Sequence, residues 1–489
     1  MREGLNIFPD KTQTRWFYIL TALFGVFLTY GMLQGMTFLA GLPVVFFILM
    51  LMVFRLDLVV FAAVLITPFS INLAQTSIGI GVSLPSEPLM FGLFVIFWLK
   101  VFLDGGLDSR ILKHPVTLVI LIHMAWYVLT TLTSSMPTVS FKSTLARFCY
   151  ISVFYFMLLY LFSKKENIKR FIWAYLIPLL AVVAYTIFTH ALEGFSEDAA
   201  HTAMVPFYND HTAYAAVLSF FIPVVLGFAI DKESSKRSRN MAWAVLTVLI
   251  VATILSYTRA AWVGLVAALG CSLIFFLRIK SAIVYSGIAM VIVLAFLFRT
   301  QITMQLESND QVSSDDYASH VQSIGNISSD DSNIERLNRW ACALRMFQDR
   351  PVLGFGPGTY MFKYGSYQKF SERSGISTNF AEGGGSHSEY LGPLSEQGFM
   401  APLIILVLIG VTVQTTANYI KKTTSSSNRI LARSVLLGLV TYWVHGILNY
   451  FLDTEKASVP YWGYIAILVA LQIFHHQKEE STLQAPNAK

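Results

Sequence analysis

Apolar residues along this chain come in repeated blocks, near 16–33, 37–54, 57–74, 88–103, 115–133, 144–163, 170–190, 211–230, 240–257, 260–277, 281–298, 397–419, 430–451 and 459–475. Most of these blocks reach the roughly 20 residues that an α-helix needs to cross a hydrocarbon core of about 30 Å. The pattern predicts an all-α polytopic membrane protein with about 12–14 transmembrane helices. No internal repeat is visible, which argues against a transporter built from inverted halves. One polar stretch, 299–388, interrupts the series and divides the chain. Residues 1–204 are expected to be N-terminal transmembrane helices and 205–298 central helices containing a turn at Arg259. A large external loop over 299–388 then precedes C-terminal helices and a short tail over 389–489.

The polar connections alternate in charge. "RLD" (55–57), "KVFLDGGLDSRILKH" (100–114), "SKKENIKR" (163–170), "DKESSKRSRN" (231–240), "RIK" (278–280) and "KKTTSSSNR" (421–429) are mostly basic. The intervening "GMLQG", "INLAQTSIGIGVSLPSEPL" and "HALEGFSEDAAHTAMVPFYND" are neutral or acidic. The positive-inside rule places the basic set, with both termini, in the cytoplasm and the loop outside. The opening "MREGLNIFPDKTQTRW" lacks the short apolar core and small-residue cleavage site of a signal peptide, so the first block is expected to be a retained helix.

Within the loop, "ESNDQVSSDDYASHVQSIGNISSDDSN" reads as flexible surface chain. "SNIERLNRWACALRMFQDRP" reads as a helix: Ser332 and Glu335 have capping-box spacing, and Pro351 ends the run. Leu337, Trp340, Ala341, Leu344 and Phe347 share one face, expected to lie on the membrane surface or on the bundle. "GFGPGTY" (354–360) follows as a tight turn.

Composition supports the membrane assignment: 55% of residues are hydrophobic and 13% charged. The net charge of +6 does not point to nucleic acid, because the basic residues sit in short clusters where topology requires them. Cys149, Cys271 and Cys342 are scattered and make neither a disulfide framework nor a metal site.

Topology then exposes the exceptions. Arg259, in "ILSYTRAAWVGL", lies outside between two apolar blocks with almost no loop. It either snorkels to headgroups or faces an anion or a water-filled cavity. Arg336 borders the apolar stripe of the loop helix, with Arg339 one turn on and Arg345 pointing away. A guanidinium there can grip phosphate in a bidentate fork, or simply lie on a solvated face. Lys142 and Arg147, in "SFKSTLARFCY", either join a basic vestibule or anchor a helix end. His387 follows "EGGGS" and precedes "SEYLGPLSEQG", with Glu389 and Glu396 available to orient its ring. Imidazole titrates near neutrality, so it can take a proton from a hydroxyl or bind phosphate as the cation. The glycines would let the backbone fold closely around a substrate. His211, in "NDH", opens a helix and is expected to lie near its cap. His445, Asn449 and Asp453 either line the same cavity or satisfy each other as a polar seam. There is no Gly-x-Ser-x-Gly elbow, no P-loop and no His/Cys/Asp cluster with metal spacing.

Together "SYTRAAWVGL", "RLNRWACALRMFQDRPVLGFGPGTY", "HSEYLGPLSEQG" and the external loop resemble the bacterial O-antigen ligase and polymerase superfamily. The match is strong over roughly 205–455. The resemblance implies a membrane glycosyltransferase of the cytoplasmic membrane with its site facing the periplasm. It would move a glycan from a polyprenyl-diphosphate carrier to an acceptor hydroxyl, with no cofactor and no metal. Its partners would be that donor, a lipid-core or glycan acceptor and membrane lipids, with no nucleic acid. By the same resemblance His387 is the catalytic residue and Arg259 and Arg336 hold the diphosphate. Ser388 stands where asparagine is commoner in the family, which leaves the ring's orienting partner open. A ligase passes the glycan to a lipid core, a polymerase to another lipid-linked unit, and transfer to a protein hydroxyl is a third form. A lipid-glycan flippase would instead place ionisable residues at mid-membrane, and a catalytically inert scaffold would leave the one-sided cluster unexplained.

Overall fold

The computed structural model describes residues 11–34, 42–72, 83–103, 105–277, 331–373, 377–378 and 384–475. Among these, ten helices are long and apolar enough to cross a membrane. In chain order the main helices are α1 (Lys11–Leu33), α2 (Leu42–Phe54), α3 (Leu56–Ile66), α4 (Ser86–Leu103), α5 (Pro115–Leu132), α6 (Pro137–Leu161) and α7 (Lys165–Leu192). They continue as α8 (His211–Ile230), α9 (Lys236–Leu255), α10 (Arg259–Phe276), the loop helix α11 (Asp331–Asp349), the short α12 (Leu391–Gln397), α13 (Met400–Lys422), α14 (Ser426–Leu448) and α15 (Glu455–Ala470). The expected all-α polytopic fold is what forms. The blocks at 37–54 and 57–74 give the shorter α2 and α3, and the block at 281–298 lies outside the described residues.

The end of α3 shows why the third block is shorter than its hydrophobicity. Pro68 has no amide hydrogen to continue the ladder, and the chain tightens into a turn over Thr67–Phe69. It then leaves as a two-residue strand, Ile71–Asn72, paired antiparallel with Ser83–Leu84. The Ser70 and Ser86 hydroxyls bond at 2.6 Å beneath this pair.

Helices that are apolar all round are expected at the centre of a bundle. α8 and α15 have that character: 78% of the α8 window and 89% of the window over Glu455–His475 are buried inside the protein, against 22% for α10 and 28% for α9 and α13. The last three therefore present their Leu, Val and Phe side chains outward, where lipid rather than protein must cover them. Aromatic rings lock the centre. Phe220 of α8 stacks on Tyr442 of α14 at 4.8 Å, and Tyr175 of α7 stacks on Phe221 at 5.0 Å. Each such pair adds about 0.5–1.5 kcal/mol beyond its burial.

The loop helix departs from the sequence expectation. Its buried face is Glu335, Asn338, Arg339, Cys342, Ala343 and Met346. Cys342, Ala343 and Met346 form a small core with Phe355, Tyr360 and Tyr364, separate from that of the bundle. Leu337 and Leu344, members of the expected apolar stripe, are 42% and 45% exposed. The reason is tertiary: the Arg339 guanidinium lies 5.0 Å over the Tyr364 ring while ion-paired to Glu335, so a charged side chain is drawn inside and the larger aliphatic ones are left out. Glu335 reaches forward to Arg339, Asn338 and Ser377 rather than only back to a cap.

The glycine-rich turn after α11 is the clamp between loop and bundle. The Phe355 carbonyl accepts from the Ser135 amide at 2.9 Å, and the Gly356 amide donates to the Glu396 carbonyl at 2.7 Å. Gly356 has φ +110, and a Cβ there would fall 2.1 Å from Ser134 Oγ. Gly356→Ala is thus expected to lower the melting temperature of the detergent-solubilised protein by several degrees, from left-handed strain of order 1–3 kcal/mol plus the clash. Thermal-shift measurement with the neighbouring Val352→Ala as an exposed-site control checks this.

Candidate functional site

His387 is assembled by the loop rather than by any helix. Its φ of 51 is one of the few left-handed values at a non-glycine residue, a conformation that persists only where neighbours over-determine it. Those neighbours are visible. The Trp340 indole donates to the His387 carbonyl at 3.3 Å. Arg339 Nη1 donates to the Gly385 carbonyl at 3.0 Å. A Cβ on Gly384 would fall 1.4 Å from Arg339 Nη1. Gly384 therefore leaves room for the Arg339 guanidinium, and Gly385 for the Tyr450 ring. On the other side the Glu389 amide donates to the Gly446 carbonyl at 2.8 Å, fastening the segment to α14.

Electrostatics then set the ring's charge. Burial, followed by Arg339 and Arg336, pushes the His387 imidazole down to about 4, against a smaller opposing pull from Asp210 and Glu335. It is neutral at pH 7 and able to accept a proton. Arg339 is the less available cation, because it is buried with Glu335 at 2.6 Å. Burial would raise the Glu335 carboxyl, but hydrogen bonds from Ser377 and Arg339 outweigh it and hold the group below its ordinary value. Arg336 is half-buried one turn before Arg339, beside the half-buried Trp340.

The bundle brings further groups to this end. Arg336 also lies in the field of His211 and His445. The His211 ring stacks on His201 at 4.3 Å. Asp210 caps α8, its carboxylate accepting from the Ala213 amide at 2.8 Å and from Thr212 at 2.5 Å; it acts on His211, His387 and His445 alike. His445 bonds Asn449 at 3.0 Å and lies against the Ala260 backbone. Arg259, the residue before Ala260, opens α10 after a second left-handed residue, Tyr257 with φ 50. Thr258 Oγ1 donates to the His211 carbonyl at 3.2 Å. Arg336, His387, His211 and His445 are thus gathered around the start of α8, and the residues on either side of Arg259 touch His211 and His445.

Other candidates go elsewhere. Glu389 turns into the protein: its Oε1 accepts from the Tyr442 hydroxyl at 2.5 Å and from the Phe451 and Leu452 amides at 2.8 Å each. Burial pushes this carboxyl up to about 6. Glu396 accepts from the Tyr360 amide at 2.9 Å, and burial pushes it up to about 8. Both carboxylates hold the loop down; neither is the ring's orienting group. Arg147 is buried, paired with Asp453 at 2.6 Å and 5.6 Å over the Tyr127 ring. Lys142 is exposed near Glu87 at the mouth of α4. Asp453 pairs with Arg147 and so leaves the His445–Asn449 seam. Among the described residues no group of three or more His, Cys, Asp or Glu side chains is arranged to hold a metal ion. Asp210 and Trp340 are the partners that sequence reasoning undervalued. An aspartate just before a long apolar block is a cap signal, whereas nothing in the chain announces that the Trp340 indole would reach a carbonyl 47 residues away.

Residues 242–406 match the family described as O-antigen ligase. That stretch runs from α9 into α13 and contains Arg259, Arg336 and His387; Asp210, His211 and His445 lie outside it. The match supports membership of the O-antigen ligase and polymerase superfamily, and the helices make the chain an integral membrane protein. No curated protein matches the chain.

Gly384→Ala is expected to drive Arg339 away from Gly385 and loosen the backbone around His387. Hydrogen exchange of peptides covering 384–390 would then speed up by at least tenfold, while peptides from α15 stay protected.

Proposed function

We propose that the protein is a membrane glycosyltransferase that moves a glycan from a polyprenyl-diphosphate carrier to an acceptor hydroxyl on the outer face of the cytoplasmic membrane. The observation that carries the reading is a neutral histidine, held in a left-handed backbone, in the field of Arg336 on the loop helix. The match of residues 242–406 to the O-antigen ligase family supports the same chemistry. The basic connections at the opposite helix ends support an outward-facing site.

The acceptor oxygen attacks the anomeric carbon as its proton passes to the His387 imidazole. The bond from that carbon to the diphosphate breaks, and its electron pair stays on the phosphate oxygen. The leaving diphosphate therefore gains negative charge. Arg336 and Arg259 meet that charge with guanidinium groups fixed in advance, which stabilises the transition state more than the ground state. Arg339, held by Glu335 and Gly385, positions His387 rather than the donor. No step requires a metal ion.

Donor binding would also tune the base. In the free protein burial, with Arg339 and Arg336 adding to it, depresses the His387 pKa. A bound diphosphate offsets the arginines' share and moves that pKa upward, toward the range where a general base works best. Ligase and polymerase activities share this donor half and differ in what supplies the hydroxyl. A ligase-like transfer to lipid core is the form we favour, with chain growth on a second lipid-linked unit as the alternative.

Proteoliposomes supplied with polyprenyl-diphosphate glycan, EDTA and either lipid core or donor alone test the proposal. Elongated donor identifies a polymerase and modified core a ligase. His387→Ala is expected to lower kcat by about 10²–10⁴-fold, and Arg336→Ala by about 10²–10³-fold. Arg336→Lys falls between, because it keeps the charge and loses the fork. Unchanged transfer in His387→Ala would sink the proposal. The pH profile gives a second check. Activity falls as His387 gains a proton, so kcat/KM should lose its acid limb near the free-protein value of about 4. The limb in kcat should lie higher, because the donor is bound.

A further inference from the structure

A chamber of about 70 Å³ lies beside the site, between the hairpin at Asn72 and Ser83, the segment before α8 and the start of α15. It shares two walls with the histidine cluster. Asp210 lines it and acts on His387. Phe451 lines it, while its ring lies 5.9 Å from His445. We propose that this chamber is a sugar subsite, receiving the hydroxyl-bearing edge of one neutral sugar ring at the point of transfer. The proposal rests on the transferase reading above for its role, but not for the binding itself.

The lining has the chemistry of a sugar site. Sugar hydroxyls need donors and acceptors side by side, which the Asn72 and Asn209 amides supply together. The Phe207 and Phe451 rings offer flat apolar faces to C–H edges. The Lys456 ammonium is held in place, donating to the Ser70 carbonyl at 2.8 Å and lying 4.5 Å over the Tyr208 ring. Tyr208 lines the chamber with its ring, while its hydroxyl is turned inward beside that of Tyr175, which donates to the Lys456 carbonyl at 2.7 Å.

Charge narrows the class. Asp210 places a carboxylate in the wall, and Glu455 and Lys456 sit side by side as a buried pair. A sugar carrying its own carboxylate would face the Asp210 carboxylate, whereas a neutral hexose or N-acetylhexosamine would not. The larger cavity in the protein, about 700 Å³ between α7 and α9, is lined by Leu180, Val183, Phe188 and Val248 and carries no such groups. It suits a lipid chain, so the two cavities are chemically distinct.

Saturation-transfer NMR on the full chain in nanodiscs tests the subsite without any transfer step, using N-acetylglucosamine and glucuronic acid as probes. The neutral probe should receive saturation and the acidic one at least fivefold less. Asn209→Ala, on an exposed residue, and Asn72→Ala, in the two-residue strand, should each weaken the neutral signal at least threefold. His387→Ala should leave it intact. Equal signals from both probes, or unchanged signals in both chamber variants, would overturn the proposal. In the liposome assay the same variants should raise KM for donor if the donor's sugar sits here, or for acceptor if the acceptor's does. If KM for both substrates stays at wild-type values, the chamber is not a subsite of the reaction. Loss of transfer in wild type with neutral-sugar binding retained would instead count against the transferase reading alone.

Discussion

The placement of His387 depends on one carboxylate. Glu389 sits fully inside the protein and spends its Oε1 on a tyrosine hydroxyl of α14 and two backbone amides ahead of α15. Groups this deep cannot be left unmatched, because an unpaired buried charge or amide costs several kcal/mol. The result is a joint that ties the polar loop to the ends of two central helices, two residues from the imidazole. With the joint made, the backbone of 386–388 has little freedom left.

The opposite fastening is made from arginine. Arg339 is drawn beneath the loop helix by Glu335 and Tyr364, and its outer nitrogen holds the Gly385 carbonyl. Between Arg339 and Glu389 the chain turns at His387, with a left-handed φ of 51. Burial first, and then Arg339 and Arg336, keep the ring neutral. Arg339 thus contributes to both the geometry and the protonation of His387.

Roles are divided between two regions of the chain. The stretch matched to the O-antigen ligase family supplies Arg259, Arg336 and His387. The groups that surround them, Asp210 with His211 at the head of α8 and His445 near the foot of α14, come from helices outside it, among the most buried in the bundle. A deeply packed helix end is a rigid support, because a central helix has protein contacts on all sides. Chemistry held on a loop against fixed groups on helix ends suits the transfer proposed above.

Hydrophobic blocks were enough to reveal a helical membrane protein, because bilayer thickness acts on the chain segment by segment. Arg259, Arg336 and His387 stood out as candidates in the sequence because each breaks a local rule. The loop helix was legible as a helix, but its inward face was not, because Arg339 could be buried only once Glu335 and Tyr364 were there to receive it. Glu389 and Glu396 looked like partners for the imidazole in one dimension, and only the folded chain showed them turned toward backbone amides far away in sequence. The three glycines likewise read as freedom in the chain and became, at Gly384, space for a guanidinium. Local pattern decides what each segment must be; which polar groups meet is decided by packing, since every buried charge has to find its partner among residues that the sequence holds far apart.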